Sequence, residues 1–232
     1  MMSVMKLEDV KKIYKMGEIE VHALRDISFE IEDGDYIVIV GPSGSGKSTL
    51  LQILGCLDRP TLGNVYIENS EVSSMPDKKL AEVRNKKIGF IFQKFNLLSH
   101  LSALENVELP MIYGNVPTKE RKKRAKEYLE LVGLGDRMDH KPTELSGGQQ
   151  QRVAIARGLA NEPAFLLADE PTGNLDSKSG KEILQIFQKL NDMGKTLVVV
   201  THDPTMESIG NKVVRILDGA IESIEVKKNG NT

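Results

Sequence analysis

Eight residues, Gly41-Pro42-Ser43-Gly44-Ser45-Gly46-Lys47-Ser48, carry the spacing G-x-x-x-x-G-K-[ST]. Glycines in such a run let successive backbone N–H groups turn inward, and the start of the following helix adds its dipole. Lys47 supplies a point charge for β and γ phosphates, and Ser48 a hydroxyl for Mg2+. The apolar run 36–40 precedes the loop, and Thr49 opens a helical pattern over 49–54, so strand, loop and helix come in the required order. The bare pattern also describes a glycine-rich turn without a ligand; the flanking strand and helix favour the phosphate loop.

A second chemistry is written in 165–170, Phe-Leu-Leu-Ala-Asp-Glu, an apolar strand ending in two acids. That puts carboxylates at the C-terminal edge of a parallel sheet, where such sheets bind ligands. Asp169 is expected to hold Mg2+, and Glu170 to orient and deprotonate an attacking water. On their own, two acids before Pro171-Thr172-Gly173 read equally well as caps of a turn. The run 196–201 ends in His202, which at the same edge could reach a γ-phosphate, although an isolated histidine more often satisfies a loop backbone group. His22, His100 and His140 have no such placement. A third signal is Leu145-Ser146-Gly147-Gly148-Gln149 ahead of the helical stretch 150–159. Ser146 can cap that helix while the Gly147 and Gly148 amides stay open, a second helix start shaped for phosphate.

These residues need a frame to hold them. Strand patterns fall at 6–10, 27–31, 36–40, 65–68, 87–92, 165–168, 196–201, 213–217 and 220–224. The runs 36–40, 88–92, 165–168 and 197–200 are almost continuously apolar, as expected of central parallel strands covered on both faces. The earliest and latest strands alternate more, and Asp33-Gly34 and Asp218-Gly219 suggest antiparallel hairpins. Between 101 and 134 the strand signals stop, and Ala125, Tyr128, Leu129 and Val132 recur at helical spacing, which predicts a helical insertion. Residues 119–126 hold six basic side chains, read as a solvated helix face rather than a contact with lipid headgroups or nucleic acid. No repeat of solenoid length is visible.

At 232 residues with 40% apolar content the chain can bury a real core, so a folded chain is expected rather than a disordered one. Lys and Arg total 31 against 33 Asp and Glu, a net charge of −2, so no overall basic field exists for nucleic acid. Anions must be held locally. The single cysteine, Cys56, cannot form an internal disulfide, fits a reducing compartment and is expected to be a small buried residue. No apolar run is long enough for a membrane span, and residues 1–6 do not read as a secretion signal.

Leu145-Ser-Gly-Gly-Gln149 together with the phosphate loop resembles the signature pair of ATP-binding cassette ATPases, and the resemblance covers nearly the whole chain. It implies a P-loop NTPase (RecA-like) α/β core with a mostly parallel sheet, an antiparallel β subdomain and an inserted α-helical subdomain. On this reading 1–93 and 160–232 form the core and β subdomain, and 94–159 the helical part carrying the signature. Tyr14 looks like the aromatic that stacks on adenine, and Gln93 like the glutamine that senses Mg2+ and the membrane partner. Asp176, in Gly173-Asn174-Leu175-Asp176, resembles the D-loop acid, and His202 the switch histidine. Many relatives read Ser-Ala-Leu-Asp where this chain has Gly-Asn-Leu-Asp.

The resemblance implies ATP and Mg2+, with Lys47, Glu170 and His202 in catalysis. It implies nucleotide contacts at Tyr14, 41–49, Gln93, 146–149 and Asp176, and metal contacts at Ser48, Gln93 and Asp169. It also implies a head-to-tail dimer that closes on ATP, docked peripherally on the cytoplasmic face of a membrane permease, with no nucleic-acid partner. The stretch 93–109 resembles the lipoprotein-release, macrolide-export and FtsE-like cell-division branch, as do 55–63 and 171–176. Export is the favoured role; an FtsE-like ATPase driving a membrane protein without transport is the alternative. Phe95, Leu97 and Leu98 could form a groove for a permease helix or belong to the core. A soluble cassette working on DNA or ribosomes would need a long coiled coil or a second cassette, and a nucleotide kinase would leave 145–149 unexplained.

Overall fold

The computed structural model describes residues 3–227. In chain order the elements are β1 (Ser3–Met16), β2 (Ile19–Glu32), β3 (Tyr36–Val40), α1 (Lys47–Leu54), β4 (Leu62–Ile67), β5 (Ser70–Glu71), α2 (Asp77–Lys87) and β6 (Ile88–Ile91). They continue with α3 (Ala103–Tyr113), α4 (Thr118–Leu131), α5 (Gly147–Leu159), β7 (Phe165–Asp169), α6 (Ser177–Asp192), β8 (Leu197–Val200), α7 (Pro204–Ile209), β9 (Lys212–Leu217) and β10 (Ala220–Val226). The chain divides into two compact units, one built from the described residues up to Leu80 and from Gly194 onward, the other from Ala81–Met193.

In the first unit β1 and β2 form a long antiparallel hairpin closed by Gly17-Glu18, with Met16 opposite Ile19. Gly17 takes a positive φ of +65°, which a two-residue hairpin turn of this hand requires. β4 and β5 extend this sheet in the order β2-β1-β4-β5. Both long strands run well beyond the expected 6–10 and 27–31, because bulges interrupt the alternation that marks a strand. The left-handed residues Asp9 and Asp26, both at φ +49°, sit at these irregularities.

Asp33-Gly34 does not close a hairpin. It carries the chain from β2 into β3, which lies in a different sheet, and the Gly34 amide donates to Thr196 Oγ1 at 3.0 Å. Asp218-Gly219, by contrast, closes the antiparallel β9–β10 pair as expected. β3 is buried at all five positions, and fully burying each Val or Ile is worth about 1.5–3 kcal/mol. It pairs in parallel with β8 (Ile39 opposite Val200) and with β9 (Val38 opposite Val213). Parallel register sends the chain out of β3 at 41–48 and out of β8 at His202 along one sheet edge. Cys56 is buried, at 3% exposure.

In the second unit β6 and β7 pair in parallel, Phe90 opposite Leu167, and α5 packs against β6. The contact is glycine on glycine: a Cβ on Gly89 would lie 2.2 Å from the Gly158 carbonyl oxygen and 2.5 Å from Leu166 Cδ2. Backbone cannot yield as a side chain can. Gly89→Ala should therefore cost about 1–3 kcal/mol in urea unfolding, with the fold retained; an unchanged midpoint would show that strand and helix separate freely here.

The expected insertion over 101–134 is the pair α3 and α4. α3 opens with a capping box between Ser102 and Glu105, and α4 buries Ala125 and Leu129. The basic run lies on the outward part of α4, with Lys119, Lys122, Lys123 and Lys126 exposed, Arg121 paired to Glu108 at 2.8 Å and Arg124 paired to Glu120.

Candidate functional site

In the first unit the loop 41–48 is shaped by three glycines. Gly46 is the N-cap of α1 at φ 104°, and Gly44 has φ +79°, both in the region that L side chains avoid. A Cβ on Gly41 would fall 2.2 Å from the Ile216 carbonyl oxygen, and one on Gly46 would fall 2.6 Å from that of Ala23. The loop is thus wedged against β9 and β2, and the Gly219 amide donates to the Ser45 carbonyl at 2.9 Å. α1 has neither a side-chain cap nor an acid in its first turn, so no side chain of its own start answers its leading amides and dipole.

Lys47 folds back over the loop, its Nζ donating to the carbonyls of Gly41 and Pro42 at 2.8 Å each. Ser45 Oγ is buried without a hydrogen-bond partner among the described residues, an orphaned hydroxyl inside the loop. Pro42, Ser43 and Ser48 are exposed, and Thr49 is half-buried.

Tyr14 reaches this helix start. Its hydroxyl donates to Asp58 Oδ2 at 3.0 Å, and Lys12 Nζ, which bonds Asp58 at 2.7 Å, sits 5.0 Å from the ring centroid. Burial, then the bond to Asp58, raises the Tyr14 pKa, while a bond from Thr49 opposes the rise. One face of the ring therefore carries a cation. His202 is exposed just beyond β8, and the following Asp203 caps α7 through the Thr205 amide at 2.8 Å.

The second unit gathers Gln93, Asp169, Glu170, Asp176 and the 146–149 motif. Asp169 is the half-buried last residue of β7, and burial together with the neighbouring Glu170 charge raises its pKa. Glu170 adopts a left-handed φ of 43°, which turns its side chain away from the strand's alternation and costs about 1–2 kcal/mol for a residue with a Cβ. Strain of this kind gathers at functional positions. The Gly173 amide closes the turn on the Glu170 carbonyl at 3.0 Å, and Gln93 Nε2 lies where a Cβ on Gly173 would be only 2.7 Å away. Gln93 is thereby brought beside the turn that follows Glu170.

α5 begins as the motif predicts. Ser146 Oγ accepts from the Gln149 amide at 3.3 Å, and Gln149 Oε1 accepts from the Ser146 amide at 2.9 Å. This capping box leaves the Gly147 and Gly148 amides at the helix mouth, with no acid in the first turn. Gly148 is required by packing, since a Cβ there would stand 2.8 Å from Ser179 Oγ. Gly147 is not, its nearest neighbours being Leu175 at 3.6 Å and Phe95 at 3.8 Å. Asp176 caps α6, accepting from the Lys178 and Ser179 amides at 3.0 Å and from Ser179 Oγ at 2.7 Å. These bonds, led by those from Ser179, hold its pKa below the ordinary aspartate value.

Sequence reasoning missed the residues that tie this unit together. Gln151, with no exposed surface, donates from Nε2 to the Pro171 carbonyl at 2.7 Å, joining α5 to the turn after Glu170. Asn174 Nδ2 donates to the Gln93 carbonyl at 3.0 Å. Glutamine and asparagine in polar stretches carry no pattern that announces such bonds.

Ser48 in the first unit, and Asp169 and Gln93 in the second, each carry a hard oxygen donor of the kind Mg2+ takes. Among the described residues no cluster of three or more ligating side chains occurs.

The sequence profile of the ABC transporter family matches residues 24–173. An uncharacterized ABC transporter ATP-binding protein of Thermotoga maritima is 68% identical over 225 residues, 97% of this chain and 96% of its own length. The macrolide export ATP-binding/permease protein MacB of Syntrophobacter fumaroxidans is 50% identical over 95% of this chain, a match to 31% of that larger protein. Among solved structures, the dimeric post-hydrolysis state of the ATP-binding cassette MJ0796 of Methanocaldococcus jannaschii, bound to ADP and Pi, superposes with a TM-score of 0.88 at 50% identity. That match covers 97% of this chain and 100% of the other. Among the described residues no helix is long and apolar enough to cross a membrane.

Proposed function

This chain belongs to the ABC transporter family, as an ATP-binding ATPase with the P-loop fold of that family, and we propose that it powers a separate membrane permease through ATP-dependent, head-to-tail pairing of two copies. The observation that carries the reading is a pair of open helix starts, one in each unit. α1 follows the glycine loop and Lys47, α5 follows Ser146, and neither has an acid in its first turn. Each start can satisfy only part of a triphosphate's charge. Two copies sharing each nucleotide, with the 41–49 loop of one and 146–149 of the other on its phosphates, gain most when closed. The dimeric Methanocaldococcus cassette bound to ADP and Pi supports this pairing.

Within such a pair the loop amides and Lys47 bind the β and γ phosphates, and Tyr14 stacks on adenine. Glu170 takes a proton from water as the water oxygen bonds to the γ phosphorus and the β–γ bridging bond breaks, giving ADP and inorganic phosphate. His202 donates to the γ-phosphate, and Asp176 steadies the D-loop at the dimer contact. Ser48, Asp169 and Gln93 would hold Mg2+, whose charge, when it is bound, offsets that of the phosphates. Loss of the γ-phosphate removes the group both copies hold, so the pair reopens.

The permease is proposed from the printed ATP-binding/permease character of MacB, whose macrolide export also supports an export role. The place that goes with such a partner is peripheral, on the cytoplasmic face of the membrane. The stretch 95–98 is its candidate dock. Asn106, fully buried, fixes it by accepting from the Leu98 amide at 2.8 Å and donating to the Leu98 carbonyl at 3.1 Å, which leaves the Leu98 side chain 38% exposed. The purified protein should release phosphate from MgATP at a rate rising more steeply than linearly with protein concentration, and a permease should be captured with it from solubilised membranes. A rate strictly proportional to concentration, with a monomer throughout, would overturn the pairing.

A further inference from the structure

Gln93 is the residue of the hydrolysis site with the least support from its own strand, since β6 ends at Ile91. Two side chains from elsewhere in the unit, Asn174 and Arg157, fix the backbone around it. On one side Asn174 Nδ2 donates to the Gln93 carbonyl at 3.0 Å, and Asn174 Oδ1 lies 3.5 Å from Gln93 Nε2, so that the two amides face one another. Asn174 is otherwise exposed, and its side chain reaches a carbonyl 81 positions away instead of water.

On the other side the chain passes through two consecutive left-handed residues, Phe95 at φ 57° and Asn96 at φ 52°. Neither is glycine, so the conformation is unfavourable in isolation. The Arg157 guanidinium of α5 holds it, Nη2 donating to the Phe95 carbonyl at 2.7 Å and Nη1 to the Asn96 carbonyl at 2.5 Å. The Phe95 ring, kept in place by this bend, stands 3.8 Å from where a Cβ on Gly147 would be. Gln93, the 173–176 loop and the mouth of α5 are thus one connected assembly.

We propose that Asn174 is a positioning residue for Gln93, holding its amide over Gly173 beside the Glu170 turn while Arg157 fixes the chain beyond. The proposal rests on the reading that Gln93 takes part in hydrolysis. Asn174 touches neither nucleotide nor water in it; it acts through Gln93. Its side chain also joins the loop that ends at the α6 cap to the residue after β6, so a shift of either is felt by the other.

The test is a double-mutant cycle on the full chain, with kcat and KM for MgATP measured for wild type, Asn174→Ala, Gln93→Ala and the double variant. Asn174→Ala removes one neutral hydrogen bond at an exposed position, so the fold is kept, kcat falls about five-fold and KM stays within about two-fold. In the Gln93→Ala background the same change should cost nothing further, because the group it positions is gone. An Asn174→Ala enzyme with wild-type kcat, or one whose loss repeats in full on Gln93→Ala, would overturn the proposal while leaving Gln93's role intact. If Gln93→Ala itself hydrolyses at the wild-type rate, the reading of Gln93 fails and the proposal falls with it.

Discussion

Replacing Glu170 by glutamine is expected to slow ATP hydrolysis by at least about a hundred-fold while leaving MgATP bound and the two copies paired. The side chains are nearly isosteric, so the turn closed by the Gly173 amide on the Glu170 carbonyl at 3.0 Å is preserved. What disappears is the carboxylate that accepts the water's proton, and a positioned base is worth about 10²–10⁴ in rate. The left-handed φ of 43° persists, because it belongs to the turn and not to the charge. The substitution also removes the neighbouring Glu170 charge, the smaller of the two causes that raise the Asp169 pKa, while the burial of Asp169 stays. Phosphate release and size exclusion with and without MgATP check both halves. Near wild-type turnover with no ATP-dependent shift to a dimer would remove Glu170 as the base.

Gly46→Ala should weaken nucleotide binding about a hundred-fold, by a different route. The new methyl would stand 2.6 Å from the Ala23 carbonyl oxygen, 3.1 Å from Leu24 Cδ2 and 3.4 Å from Gly219 Cα, with φ at +104°. Two of these three contacts are backbone, and left-handed geometry costs a residue with a Cβ about 1–2 kcal/mol before any clash. Overpacking adds about 1–3 kcal/mol, so the loop and the first turn of α1 must move. That displaces Lys47 and the amides behind it, and about 3 kcal/mol is roughly a hundred-fold in affinity. Gly44→Ala makes the comparison. Gly44 also has positive φ, but a Cβ there meets nothing within 4 Å, so the strain alone should weaken binding by no more than about thirty-fold. A fluorescent ATP analogue titrated against both variants decides the matter. Equal affinities would show that the tight fit against Ala23 has no bearing on the loop.

Much of the site is legible in the chain because its chemistry is local. The phosphate loop needs glycines where the backbone turns left-handed or passes close to another strand, and Gly41, Gly44 and Gly46 stand at those places. The capping box of Ser146 and Gln149 spans three residues and forms as read. The strand at 36–40 is found with its expected bounds because five apolar residues in a row have few other homes. α2 escaped the same reasoning: Asp77–Lys87 is mostly charged and buries only Leu80, so no apolar period marks it. The long hairpin was cut short because its bulges break the two-residue alternation.

The sequence by itself determined a phosphate-binding α/β chain of the cassette type, the loop 41–48 with Lys47, the acids at the end of β7 and a second open helix start at Gly147. Each is written within a handful of residues, where backbone geometry restricts side-chain choice. Only the tertiary structure decided that Asp33-Gly34 passes between sheets, that Gly89 meets Gly158, and that Asn174 and Arg157 hold the chain around Gln93. These contacts join positions up to 162 residues apart in the chain, as Gly34 and Thr196 are. A hydrogen bond or a close approach across such a distance constrains each partner only weakly on its own, so neither residue announces it.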